Sequence, residues 1–331
     1  MSASPASSQS AAETSERLAA VFESERARLW AIAYRMTGCA ADADDIVQET
    51  FAKALAASAT LAVEAWRGWL TRVAVNDAID VLRRRRRRGY PGAWLPSPIE
   101  SAAALADSES AGPEQRYSLV ESLSFAFLLA LEALSPKQRA VLLLREVFDH
   151  PAASVAAMLG MTEGNVRITH LRARRLLDGY ERERTTSHVR ERTQQALGEL
   201  LRGLLAQDAA AVEALLARDA RALTDAGGEF NALARPMLGA DRVARLLLRV
   251  AARRAPGSVV ELRELNGEPA LVIVYARTER RQAPRAVLRC ELDGGGRIRA
   301  VHVVLATRKL RHVPFPPGGE SATPRKAAGS V

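Results

Sequence analysis

Arg83 to Arg88 form an unbroken run of six arginines. So much positive charge with no interleaved acid repels itself and calls for a polyanion along which to lie. A second group has the opposite sign. In ADADDIVQETFAKALAA, Asp42, Asp44, Asp45, Gln48 and Glu49 gather at the start of a helical pattern. Carboxylates there suit a helix N-terminus, and they also offer a face that a basic partner surface would recognise. A third group lies in SVAAMLGMTEGNVRITHLRARRLL, Ser154 to Leu177. A short helix, a turn containing Gly160 and a second helix capped by Thr162 make a helix-turn-helix pattern, whose second helix fits a major groove. Val166, Ala173, Leu176 and Leu177 are expected to face inward. Asn165, Arg167, Ile168, Leu171, Arg172 and Arg175 are left to face outward, where Arg reads guanine or holds phosphate and Asn reads adenine.

Acid–base chemistry has few candidates. His302 alternates with Val301 and Val303 in a strand-like run, so it could face a cavity, although a lone His is more often a packing residue. Asp293 and Asp225 each precede glycines and read as turn residues. Enzymatic activity is therefore not expected, and neither is a cofactor. Cys39 and Cys290 are far apart in sequence and form no metal-ligand cluster.

These groups need elements to hold them. Val21, Leu29, Ile32, Ala33 and Met36 repeat at helical spacing and end at Gly38. Further helices are expected at Ala41–Ala57, Trp66–Arg88, Val120–Leu134, Lys137–Phe148, Ala152–Leu159 and from Thr162 to about Arg182. In Trp66–Arg88, Trp69 and Trp66 are expected to be core. From about Ser187 the texture changes. Helices at Val189–Leu205, Ala209–Ala220 and Ala240–Arg254 are joined by two hairpin patterns, one around Asn266-Gly267 and one around Asp293-Gly294. The segment 89–118 is rich in Pro, Ala, Ser and Gly and reads as a linker. The opening MSASPASSQSAAETSE has no apolar core and reads as a loose tail rather than a signal peptide.

The chain has 331 residues, a formal net charge of +9 and 5% aromatic residues. That length suits two or three domains. The charge favours nucleic acid, an anionic surface or an acidic protein. No apolar run approaches the ~20 residues of a membrane span, so no membrane partner is expected. Two cysteines without a cluster fit a cytoplasmic, reducing setting.

In this order and spacing, DADDIVQETFAKAL, WLTRVAVNDAIDVLRRRRRR and LSPKQRAVLLLREVFDHPAASVAAMLGMTEGNVRITHLRARRLL resemble regions 2.2, 2.3 to 2.4 and 4 of the extracytoplasmic-function (ECF) sigma factors of the sigma-70 family. The resemblance implies a transcription initiation factor with core RNA polymerase and promoter DNA as partners. It implies that Asp42, Asp44, Asp45, Gln48 and Glu49 dock on the polymerase clamp. Asn76 and Arg72 would serve the −10 element, with Arg83, Arg84, Arg85, Arg86 and Arg87 along its phosphates. Asn165, Arg167, Ile168, Leu171, Arg172 and Arg175 would face the −35 element. Thr169 stands where an Arg is usual, and His170 where an apolar residue is usual, so His170 is expected to be a half-buried packing residue.

GYPGAWLPSPI resembles the linker of the ECF subgroup that carries a C-terminal SnoaL-like domain. In that subgroup the extension regulates the sigma core in place of a separate anti-sigma factor. The family's Asp-Gly-Gly-Gly element reads Asp225-Ala226-Gly227-Gly228 here, and its Asn-Pro-Asp-Lys-Leu element reads Ala306-Thr307-Arg308-Lys309-Leu310. The implied fold is two all-α sigma domains followed by an α+β SnoaL-like cone. The divisions are a tail 1–15, region 2 at 16–88, a linker 89–118, region 4 at 119–184, the SnoaL-like domain at 188–313 and a tail 314–331. Trp94, Leu95 and Pro96 form an apolar patch, with Trp a favoured interface anchor and proline limiting the entropy lost on docking. It is expected to pack against the SnoaL-like domain and fix the spacing of the sigma domains; the alternative is ordinary packing on region 2 or region 4. A small molecule or a protein acting on that domain is the further partner the resemblance allows. Two other readings stay open: a plain DNA-binding repressor or activator, which would not need the acidic helix, and a DNA-tethered SnoaL-like enzyme, which would turn over a small molecule.

Overall fold

The computed structural model describes residues 5–57, 66–100, 119, 121–181, 187–253 and 256–316. They fall into two compact units. The first comprises 1–89 with 101–184, and the second 90–100 with 185–331.

The first unit is helical. α1 (Pro5–Thr37), α2 (Ala40–Ala57) and α3 (Trp66–Arg88) pack on one another. Leu29, Ile32, Tyr34, Ile46, Val47, Leu70, Ala74, Ala78, Ile79 and Leu82 are buried there. Gly38 ends α1 with φ 66°, and its N–H donates to the Tyr34 carbonyl at 2.6 Å, a left-handed stop that glycine adopts without a Cβ clash. α1 begins at Pro5, within the stretch expected to be a loose tail. That stretch is rich in alanine, which favours helix without any burial.

α4 (Phe125–Ala130) and a 3-10 turn (Leu131–Ala133) replace the longer helix expected up to Leu134. Ser124 caps α4 by accepting from the Phe127 N–H at 3.2 Å, which starts the helix later than expected. α5 (Pro136–Leu142) starts with a capping box between Ser135 and Gln138 and relaxes into a π-helical turn, Leu143–Val147. α6 (Ala152–Leu159), Gly160 at φ 60° and α7 (Glu163–Glu181) form the helix-turn-helix. Val166, Ala173 and Leu177 face its core. Leu176 does not. It is 55% exposed, because the inward stripe of α7 passes through Ala173 and Leu177, and Leu176 lies about 100° away from Leu177 on the helix surface.

The second unit has α8 (Ser187–Ala206), α9 (Ala209–Leu215) and α10 (Ala240–Ala252). Its strands are β1 (Leu216–Asp225), β2 (Met237–Leu238), β3 (Val259–Leu265), β4 (Glu268–Val274), β5 (Arg285–Leu292) and β6 (Ile298–Val304), ordered β2-β1-β6-β5-β4-β3. β1 pairs with β6 in parallel, and the other neighbours are antiparallel. The helix expected to reach Ala220 stops at Leu215. The Ala- and Arg-rich continuation has helix propensity, yet parallel pairing of Arg221 to Asp225 with β6 overrides it. Asn266 and Gly267 take φ of 55° and 71° in the β3–β4 turn, as a tight Asn-Gly hairpin requires.

The two faces of this sheet differ. Ala222, Val301, Leu288, Cys290 and Leu271 pack with Leu197, Leu200 and Leu204 of α8 and Val243 and Leu247 of α10. Register places Leu223, His302, Arg289 and Ala270 side by side on the other face. His302, Arg289, Ala270, Val272, Val287 and Val304 of that face are buried too.

Candidate nucleic-acid interface

The second helix of the helix-turn-helix presents Asn165, Arg167, Ile168, Leu171, Arg172 and Arg175 outward, all of them exposed. Ile168 and Leu171 are 52% and 51% exposed. Two exposed aliphatic side chains between cations suit a groove with thymine methyls and phosphates better than bulk water. Not every cation on this helix is unengaged. Glu163 holds Arg167 at 2.8 Å, and Glu146 holds Arg174 at 3.4 Å. His170 is half-buried, with Nε2 2.7 Å from Glu146 Oε1, so it packs against the π-helical turn as expected.

On α3, Arg72 and Asn76 are exposed one turn apart, and Arg83, Arg84, Arg86 and Arg87 are exposed too. Trp66 is buried, while Trp69 is half-buried and meets it edge-on at 5.8 Å. Arg85 and Arg86 are engaged within the unit. Arg85 places Nη2 2.6 Å from both carboxylate oxygens of Glu132 and donates from Nη1 to the Thr37 carbonyl at 3.0 Å. Arg86 donates to the Leu134 carbonyl at 2.5 Å.

Arg139 is buried between the same elements and donates to Met36 O at 2.9 Å, Leu131 O at 2.7 Å and Glu132 at 2.6 Å. Burial opposes ionisation of Glu132, but Arg139 and Arg85 outweigh it and hold its carboxyl below the usual range. Arg35, also buried, is held by Ala31 O, Leu119 O and the Ser122 hydroxyl, and burial lowers its pKa to about 10. The arginine run thus has two functions: an exposed cationic ridge, and a pair of contacts that join α3 to the 3-10 turn and its exit. Sequence reasoning missed Glu132 and Arg139. The available signal was Glu132, a single carboxylate in the otherwise apolar stretch 125–134.

The acidic set sits on α2. Asp45, Gln48 and Glu49 are exposed, and Asp42 and Asp44 are half-buried. Asp44 accepts from Trp30 Nε1 at 2.9 Å, and Glu49 lies 3.6 Å from Lys53. An exposed carboxylate ridge therefore continues from the capping turn.

The segment 90–100 belongs to the second unit, although a linker was expected there. Tyr90 donates to Asp225 Oδ1 at 2.6 Å, and the Leu95 N–H to Asp225 Oδ2 at 2.8 Å. Lys309 Nζ reaches that same carboxylate at 2.5 Å and also the Leu95 carbonyl. The ammonium sits 4.7 Å from the Tyr90 ring centre and 4.2 Å from that of Trp94, a cation–π contact with each ring. Further along, the Asn266 backbone N–H donates to the Ile99 carbonyl at 2.9 Å, the Ile99 N–H donates to Asn266 Oδ1 at 3.2 Å, and Glu100 pairs with Arg263 at 2.5 Å.

These anchors run from the end of β1 to β3. Four strand spacings amount to about 19 Å, and six extended residues reach about 20 Å. The strap is therefore drawn out nearly straight, over the face that carries His302 and Arg289. Leu95, Pro96, Ser97, Pro98 and Ile99 are all buried, and Trp94 is half-buried. At Gly227 and Gly228, φ is 57° and 81°, and a Cβ on Gly228 would stand 3.3 Å from Pro91, so the backbone there is left bare for the strap. Asp225 accepts from the Gly227 N–H at 3.1 Å, the turn chemistry expected of it, and is also the strap's hub. Lys309 was not singled out from the sequence. It is a position at which a departing motif is kept, and that was the available signal.

His302 is 1% exposed and lies beneath the strap rather than among the helices. Burial depresses its pKa to about 4, so it is neutral at neutral pH. Cys290 is buried and its thiol is pushed up to about 12, which removes it as a nucleophile. Among the described residues, no group of three His, Cys, Asp or Glu side chains could hold a metal ion, and no helix is long and apolar enough to cross a membrane.

The model of sigma-70 region 2 matches residues 21–88, and that of sigma-70 region 4 matches residues 124–177. The chain is 32% identical over 251 residues to the ECF RNA polymerase sigma factor SigJ of Mycobacterium tuberculosis, covering 75% of this chain and 78% of that protein. It is 27% identical over 303 residues to the probable ECF RNA polymerase sigma factor SigI of the same species, covering 88% and 94%. The crystal structure of M. tuberculosis SigJ is similar with a TM-score of 0.65 at 27% identity, over 90% of this chain and 100% of that one.

Proposed function

The chain belongs to the ECF RNA polymerase sigma factors, and from that premise we propose how its residues divide the work of initiation. As a sigma factor it combines with core polymerase and directs it to promoters, region 2 serving the −10 element and region 4 the −35 element. The observation that carries this reading is the ordered pair of region 2 and region 4 matches, together with the exposed recognition face of α7.

Asp42, Asp44, Asp45, Gln48 and Glu49 are assigned to the polymerase clamp. An exposed carboxylate ridge steers and orients a basic partner more than it adds raw affinity. Asn76 and Arg72 are assigned to an unstacked −10 base, and Arg83, Arg84 and Arg87 to the flanking phosphates. Arg85 and Arg86 reach DNA only after giving up Glu132 and Leu134. Arg167, Ile168, Leu171, Arg172 and Arg175 are assigned to the −35 groove.

The C-terminal unit, with its helix-backed mixed sheet, is assigned a regulatory part through the strap. Trp94, Leu95 and Pro96 link the covalent path between the sigma regions to a surface that an effector could change. A catalytic part is not assigned, since His302 is buried beneath the strap. The effector, a small molecule or a protein, would act by loosening or tightening the Asp225–Lys309 anchor. The test is in vitro initiation with core polymerase from a selected promoter library. Dependence of initiation on this chain supports the assignment. Binding to promoter DNA without any effect on core polymerase would turn it into a plain DNA-binding regulator.

A further inference from the structure

A polar notch of about 300 Å³ opens beside the recognition helix. Ser135, Lys137 and Gln138 line it from the start of α5, and Asn165, Thr169 and Arg172 from α7, with Met161 beneath. Its lining holds two cations and no carboxylate. Among the described residues neither Lys137 nor Arg172 pairs with an acid, whereas Arg167 and Arg174 of the same motif are both engaged.

The neutral groups lean the same way. Gln138 Oε1 accepts from the Ser135 N–H at 2.9 Å, and Ser135 Oγ accepts from the Gln138 N–H at 3.3 Å. Thr169 donates to Asn165 Oδ1 at 3.4 Å. The amide oxygens of Gln138 and Asn165 are thus engaged within the motif, and what remains for a ligand is the Lys137 ammonium, the Arg172 guanidinium, the side-chain NH2 groups of Gln138 and Asn165 and the Ser135 and Thr169 hydroxyls. A notch left with donors and positive charge is built for an anion. At this volume it accommodates a phosphodiester with its flanking sugar rather than a base pair, whose edge would also ask for acceptors.

We infer that this notch seats one backbone phosphate of the promoter next to the −35 element, with Lys137 as a positioning residue that sets how the recognition helix enters the groove. The inference rests on the sigma-factor reading. It also moves Asn165 from an adenine reader to a phosphate donor, because its acceptor oxygen is engaged by Thr169.

The test uses the full chain with core polymerase and a promoter duplex carrying a −35 element. Lys137 is exposed, so Lys137→Ala should fold normally, and Lys137→Arg serves as the rescue. Affinity is measured against salt on matched and altered −35 sequences, and then on duplexes with one methylphosphonate, a neutral linkage, moved step by step. Lys137→Ala should weaken binding about three- to tenfold on every −35 sequence and lower the salt slope by about 0.9, the value of one phosphate contact. Lys137→Arg should restore both. At a single linkage, methylphosphonate and Lys137→Ala should cost no more together than either alone. An unchanged slope, or a loss confined to one −35 sequence, would overturn the phosphate seat while initiation by the unsubstituted chain persists. If the unsubstituted chain neither binds core polymerase nor initiates, the sigma-factor reading fails first and carries this inference with it.

Discussion

Asp225 and Lys309 form a pair that is almost wholly withdrawn from solvent, at 0% and 4% side-chain exposure. Removing one charge leaves the other stranded, which costs about 3–5 kcal/mol for a buried pair. Asp225→Ala should therefore free the strap without dismantling the helix-packed face of the sheet. Trp94 fluorescence should shift to the red and amide exchange at Leu95 and Ile99 should rise; protection that matches the unsubstituted chain would refute the anchor. His302 gives a second prediction. Its folded pKa of about 4 lies below the ordinary 6.5. Above pH 6.5 both states are neutral and nothing is lost. As pH falls from about 6.5 toward 4, the unfolded chain takes up a proton that the folded one refuses, so stability declines, by about 3 kcal/mol in the limit. His302→Gln should flatten that part of the pH–Tm curve of the C-terminal unit, and an unaltered curve would show that other groups set it. At this scale the sequence announced which residues were unusual but not what they touched. Trp94 stood out as a tryptophan in a linker; Lys309, one of four lysines in the chain, had no local partner to mark it. Its role depends on Tyr90, Trp94 and Asp225, the first two more than 200 positions away, and no local pattern carries that.

Among the elements, α3 and the turn after α4 share Glu132. Its carboxylate gives Arg85 two contacts and Arg139 one, and its side chain is 30% exposed. Partial exposure screens the pairs, so Glu132→Gln should weaken the contact between these elements by roughly 1–3 kcal/mol rather than the full cost of a buried pair. Faster exchange at the C-terminal end of α3, with tighter binding of a −10 single strand by the freed Arg85, is the expected pairing of results. Weaker or unchanged binding would mean that Arg85 acts only as a structural contact. Periodicity made most helices legible, because α2, α3, α6 and α7 each bury a continuous stripe. It failed at Leu216, where a helix-prone stretch becomes a strand because β6 is beside it. It also failed at Leu176, one residue away from the buried stripe, and at α4, where the Ser124 cap and the 3-10 turn shorten what looked like one helix.

Across the whole chain, the order of motifs was legible because each sigma region is a contiguous block. The assignment of 90–100 to the C-terminal unit was legible only in part: Trp94 to Pro96 were expected to pack on that unit, but the proline-rich segment as a whole read as a linker until its partner surface was known. The first unit also sets a geometric condition. A compact body of about 170 residues has a radius of gyration near 16 Å, so it is roughly 40 Å across, and its longest helix, α1, spans about 50 Å. The −10 and −35 elements lie about 25 base pairs apart, roughly 85 Å at 3.4 Å per step. Regions 2 and 4 cannot read both elements while they share one compact unit. Engagement of a promoter therefore requires the Arg85–Glu132–Arg139 contacts to part, and attachment of dyes to α2 and α7 should show the separation growing when core polymerase and promoter are added. A constant separation during initiation would refute the opening.

The central claim is that this chain initiates transcription and that its C-terminal unit regulates it through the strap. The most direct measurement is multi-round in vitro transcription with bacterial core polymerase, comparing the full chain, Asp225→Ala and a chain ending near Arg184. The account expects initiation that depends on the chain, equal affinity of all three for core polymerase, and a transcript yield that changes when the strap is freed or the C-terminal unit removed. Equal yields from all three would contradict the regulatory part. Failure of all three to bind core polymerase or initiate would contradict the account as a whole.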